Sequence, residues 1–107
     1  MPKLVEGGLS LSLVMYLAQQ LIDQKLQEHA CTHLFTRIER DSLYIYSIEQ
    51  GEEAYRAALT LCGANQFAVS LTDPKGYWQP TEYRGSIAEM AAELTSTFAF
   101  ALTRWQS

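Results

Sequence analysis

The chain has 107 residues, the size of one ordinary domain. Apolar residues make up 48% and charged residues 19%, which supplies a packed core and excludes a disordered chain. Acids outnumber bases 12 to 8 for a net charge of −4, a balance that speaks against a nucleic-acid binder and against adhesion to anionic lipid.

Gly7-Gly8 mark a flexible N-terminal lead-in over residues 1–9, ahead of a single domain over residues 10–107. Leu9 to Ala18 is apolar enough to be weighed as a signal segment. Its flank, Met1 to Glu6, carries one base and one acid, and Tyr16 would occupy the small-residue position of a cleavage site before Gln19. No apolar run reaches the roughly 18 to 20 residues needed to span a bilayer. The expected setting is the cytoplasm, with no membrane partner. Two cysteines, Cys31 and Cys62, are too few for a disulfide scaffold.

The first element is an amphipathic helix from Ser10 to about Glu28. Val14, Leu17, Ala18, Leu21, Ile22 and Leu26, with Leu11 a turn earlier, recur at helical spacing as its apolar face. Ser10 or Ser12 is the candidate cap. The period then changes to two. Leu34–Arg40, Leu43–Glu49, Tyr55–Cys62, Phe67–Leu71 and, less regularly, Tyr77–Tyr83 are aromatic and β-branched runs separated by turn residues. Pro80 lacks a backbone donor and confines the last of these to a sheet edge. A second helix starts at Ser86, where Ser86-Ile87-Ala88-Glu89 has the form of a capping box. Its apolar stripe is Ile87, Met90, Ala91, Leu94 and Phe98; Phe100, Leu102 and Trp105 either prolong it or form a tail across the sheet.

Connections of two to five residues join the strands as hairpins, because a parallel pair needs a crossover of a dozen residues or more. The fold class is α+β, in two layers: helix, four- or five-stranded antiparallel meander, helix, with both helices packed on one sheet face. Leu43, Ile45, Leu59, Leu61, Phe67, Val69 and Leu71 share the parity assigned to the helix-facing core.

His29-Ala30-Cys31-Thr32-His33, with Cys62 distant in sequence, is the one cluster of metal-binding residue types. Extended, it holds His29 and His33 nearly 14 Å apart; helical, it pairs them and turns Cys31 away. Neither geometry completes a site, so no metal or other cofactor is expected, and His29 and His33 stand as weak metal candidates. As a nucleophile Cys31 is poorly placed, because it follows a helix C-terminus, which disfavours a thiolate. Glu49, Glu52 and Glu53 crowd a turn and read as solubilising charge. No phosphate-loop, nucleophile-elbow or calcium-loop motif is present. The chain is expected not to be an enzyme and has no assigned catalytic residue.

Tyr44 and Tyr46 fall on the parity opposite Leu43 and Ile45, with Ile48, and Trp78 near the sheet edge joins them. Ala58 and Cys62 have the matching parity on the next strand, with Arg56 beside them. Tyr, Trp and Arg are enriched at binding hot spots, so Tyr44, Tyr46, Arg56 and Trp78 are the candidate partner-binding residues. The opposing reading has the tyrosines as core, or as plain cross-strand pairs. Aromatic residues on a sheet also serve as RNA platforms, but the eight bases are dispersed among acids, and no nucleic-acid partner is expected.

The order helix, antiparallel sheet, helix resembles small two-layer folds that include secretion-chaperone-like domains, a likeness of architecture that does not fix function. The expected function is a non-catalytic protein-interaction domain, an assembly factor, accessory subunit or chaperone-like adaptor, binding another protein or a second copy as a two-fold dimer. The alternative is a small-ligand site or small enzyme with a pocket between sheet and helices, using His29, His33 or Tyr83.

Overall fold

The computed structural model describes residues 11–73 and 75–103. The lead-in over residues 1–9, the Ser10 cap and Trp105 lie outside the described residues. Helix α1 spans Leu11–Glu28, and five strands follow: β1 (Leu34–Glu39), β2 (Ser42–Glu49), β3 (Glu52–Gly63), β4 (Gln66–Thr72) and β5 (Trp78–Gly85). Helix α2 covers Ile87–Leu94, and a 3-10 turn covers Ala99–Leu102. The sheet order is β1-β2-β3-β4-β5 and every pair is antiparallel, so the expected meander forms with all five strands.

Turn chemistry sets the strand limits. Gln50 and Gly51 both take positive φ, 53° and 82°, the two-residue hairpin geometry whose twist matches the flanking strands. That tight turn lets β3 begin at Glu52, ahead of the expected Tyr55. Pro80 stands opposite Ser70 on the edge strand β5, where a missing N–H is tolerated.

Both helices lie on one side of the sheet. Leu43, Ile45, Leu59, Phe67, Val69 and Leu71 form one buried cluster with residues of α1 and α2, and Leu61 packs at its margin. The face that α1 buries differs from the expected one: Met15, Ala18, Ile22 and Leu26 are buried, whereas Leu17 is 50% exposed. The rotation goes with polar contacts to β1. Gln19 Nε2 donates to Thr36 Oγ1 (3.1 Å), and Thr36 Oγ1 donates to Asp23 Oδ1 (2.8 Å), which places the Gln19 and Asp23 side of α1 against the sheet edge.

At α2 the capping box forms in full. Ser86 Oγ accepts from the Glu89 N–H (3.1 Å) and Glu89 Oε1 accepts from the Ser86 N–H (2.9 Å). The helix ends at Leu94 with Thr95 as its cap, and Phe98 and Leu102 beyond it are buried. The segment after α2 therefore does not prolong the helix; its described part folds back as the 3-10 turn and lies against β3, where Arg56 meets the Ala101 and Thr103 carbonyls. Among the described residues no helix is long and apolar enough to cross a membrane.

Candidate binding face

The sheet side away from the helices carries a continuous row of rings. Phe35 on β1 stands opposite Tyr46 on β2, and their ring centroids are 5.6 Å apart. Tyr46 stands opposite Tyr55 on β3 (6.1 Å), and Tyr55 also meets Tyr44 (5.4 Å) and Trp78 (6.1 Å). Tyr44 and Trp78 close the group at 5.8 Å. Strands β2 and β5 are three strand spacings apart, about 14 Å. The contact forms because the residues between them on this face, Ala58 and Ser70, are small, and both rings lean over them. Ala58 is accordingly only 5% exposed although no helix among the described residues covers it.

A register shift builds this row. Ile45 pairs with Ala57, but Tyr46 pairs with Tyr55, so Arg56 is an extra residue in β3. The bulge exchanges parity: it brings Tyr55 out among the rings and turns Arg56 inward. Arg56 is 2% exposed and donates through Nε to Ser47 Oγ (3.1 Å), and through Nη1 to the carbonyl oxygens of Ala101 (3.0 Å) and Thr103 (2.7 Å). Glu49 lies 3.3 Å from its Nη2. Burial pushes the guanidinium pKa down, and Glu49 acts in the opposite direction. The expectation that Arg56 shares the aromatic face is thus corrected: a one-residue insertion in the ladder reverses the face of a side chain.

Tyr44, Tyr46 and Trp78 are on the expected face; Tyr44, against Tyr55 and Trp78, and Tyr46, against Phe35 and Tyr55, are half-buried, and Trp78 is 40% exposed. Phe35, Tyr55 and Arg37 join them without having been singled out in the sequence. The signal for Phe35 and Arg37 was their shared parity in β1; for Tyr55 there was none without knowledge of the bulge. The Arg37 guanidinium sits 4.8 Å from the centre of the Tyr46 ring, donates to the Tyr55 hydroxyl (2.9 Å), pairs with Glu53 and approaches Glu39 (3.6 Å). The hydrogen bond to Glu53 raises the Arg37 pKa, and the same bond lowers that of Glu53. Glu49 and Glu53 are therefore ion-pair members rather than mere solubilising charge.

The histidines lie elsewhere. A hollow of about 520 Å³ is lined by His29, Cys31, His33, Thr95 and Leu102 among others, at the junction of the loop after α1 with the 3-10 turn. His33 Nε2 is 2.8 Å from the Leu102 carbonyl oxygen, which only accepts, so Nε2 carries the proton. His33 Nδ1 is buried and without a hydrogen-bond partner among the described residues. Tyr83 is not part of this hollow; it packs edge-on against Phe98 at 4.8 Å. Cys31 packs beside the core, whereas Cys62 is exposed. Among the described residues no three His, Cys, Asp or Glu side chains gather as a metal site.

Comparison of the chain with family models, curated protein sequences and solved structures returned no match.

Proposed function

We propose that the chain is a non-catalytic protein-interaction domain that binds through the outer face of its sheet. One observation carries this: five rings, from Phe35 to Trp78, run in unbroken contact across a face that no helix among the described residues covers. Phe35, Ile48 and Trp78 are each 40 to 49% exposed, an apolar area of the kind that marks a partner surface. An assembly factor, accessory subunit or chaperone-like adaptor working in the cytoplasm is the role this supports. Self-association as a two-fold dimer is the simplest form of the same contact.

The test places a photo-crosslinking residue at Phe35 and, separately, at Ala92, which is exposed on α2. Crosslinking in the native cell from the Phe35 position alone, to a discrete species, is the expected result. Equal or absent products from both positions would remove the basis of the proposal.

A small-ligand site is the second reading, favoured by the unpartnered His33 Nδ1 beside the hollow. A fragment screen followed by His33 ring shifts in NMR tests it, and a screen leaving those shifts unmoved would end it.

A further inference from the structure

We propose that the aromatic face takes a proline-rich segment in the polyproline II conformation, with a Lys or Arg of that segment seated beside Glu39 and Glu53. This rests on the interaction reading above and names its partner by chemistry.

Shape is the first ground. The interplanar angles along the row run from 32° to 69°, so neighbouring rings form clefts rather than one flat platform. Pyrrolidine rings insert into clefts between aromatic rings, and a polyproline II strand presents them at fixed intervals with little ordering entropy left to lose. From Phe35 through Tyr46 and Tyr55 to Trp78 the row measures at most roughly 18 Å, and two turns of polyproline II rise about 19 Å.

Hydrogen bonding is the second. No described residue hydrogen-bonds the Tyr44 hydroxyl or the Trp78 indole N–H, and the indole is a donor only. A polyproline II strand has no internal hydrogen bonds and leaves its carbonyl oxygens free, so donors on the face meet acceptors on the ligand.

Charge is the third. Arg37 is flanked by two carboxylates, Glu39 and Glu53, so this end of the row keeps an excess of one negative charge. A basic residue beside the prolines complements it. A second copy of this chain brings the same acidic excess, with a net charge of −4 on each molecule.

The probe is a fluorescein-labelled peptide of about eight prolines closed by two arginines. Its comparison peptide replaces the prolines by alternating Gly and Ser and keeps the arginines. Fluorescence polarisation with the full chain should show saturable binding of the proline peptide, at least about tenfold tighter than of the Gly-Ser peptide. Phe35→Ser and Trp78→Ala should each weaken it by about tenfold or more. Phe35 is half-exposed on an edge strand, so Phe35→Ser keeps the test valid where Trp78→Ala fails to fold. Equal affinity for the two peptides, indifference to both substitutions, or no binding at roughly 1 mM chain would overturn the proposal. Sedimentation of the chain and titration with xylohexaose separate the two readings. Self-association lost in Phe35→Ser, without peptide binding, overturns the proline-rich partner and leaves the face as a protein-interaction surface; xylohexaose binding lost in the same variant overturns both readings.

Discussion

The Arg56 guanidinium donates to the Thr103 carbonyl oxygen at 2.7 Å, joining the middle of the sheet to the segment that follows the 3-10 turn. Ala101 supplies a second carbonyl at 3.0 Å, and Ser47 and Glu49 each accept one further hydrogen bond. Carbonyl groups at the end of a helical turn lack partners of their own, and a buried cation satisfies two of them. The bulge in β3 thus has a structural consequence beyond the ring row, because it is what turns this cation toward the C-terminal segment.

Replacing Arg56 by Met keeps most of the volume and removes every donor. Two carbonyls lose a donor and Glu49 loses its cation, while the Ser47 hydroxyl keeps its hydrogen bond to Glu49 Oε2 (2.8 Å). The expected loss is about 2 to 3 kcal/mol in urea unfolding. Amide exchange over residues 99–103 should accelerate more than exchange in β2 and β3. Uniform acceleration would show that Arg56 supports the sheet rather than the segment.

Gly85 precedes the cap of α2 because the capping carboxylate occupies the space of a side chain. A Cβ there would lie 2.5 Å from Glu89 Oε1 and 3.1 Å from Met90 Cε. Gly85→Ala should therefore expel Glu89 from the Ser86 N–H and cost about 1 kcal/mol. Ser86→Ala should cost a similar amount, and the double variant less than both together, since the two act on one cap. Additive losses would show that Gly85→Ala acts through Met90 instead.

Asp73 organises the turn between β4 and β5. Its Oδ1 accepts from the N–H groups of Lys75 and Tyr77, and its Oδ2 from Gln79. The Tyr77 N–H lowers its pKa most, followed in the same direction by that of Lys75. A carboxylate with a depressed folded pKa adds stability above its unfolded value, about 3.9, and that stability fades as pH falls through the lower folded value. The Lys75 and Tyr77 amide shifts should therefore titrate with a midpoint below about 3.9 in the native chain and not at all in Asp73→Asn. A midpoint at or above that value would contradict the turn geometry.

Much of this was legible in the sequence where an element had one strong local rule. Alternation in Leu43–Glu49 and Phe67–Leu71 fixed both faces of β2 and β4, and Ser86 with Glu89 marked the start of α2. The rest depended on neighbours. Counting by twos along β3 put Arg56 on the outer face, and only pairing with β2 reveals the inserted residue that reverses it. On α1 the apolar side is broad enough to admit either Met15 or Leu17, and Thr36 of β1 decides between them through Gln19 and Asp23. Helical spacing carried the stripe of α2 on to Phe98, past the observed end at Leu94, and Phe100, Leu102 and Trp105 left the segment beyond it open between helix and tail.

The small residue at position 58 is what lets Tyr44 and Trp78 touch, and that dependence can be measured. Ala58 is 5% exposed beneath two rings from strands three spacings apart, and a larger side chain has no vacant volume there. Ala58→Leu should cost about 1 to 3 kcal/mol through overpacking. The nearer effect is on the rings: Trp78 must lift from Tyr44 and Tyr55, losing contacts worth about 0.5 to 1.5 kcal/mol each. Near-UV circular dichroism should fall while the far-UV spectrum holds, and Trp78 should become more accessible to acrylamide, with a Trp105→Phe background isolating its signal. Ala58→Gly, which removes bulk, should leave quenching unchanged. If Ala58→Leu leaves Trp78 as shielded as before, the indole is held by β4 and β5 alone, and the ring row is two separate groups rather than one surface.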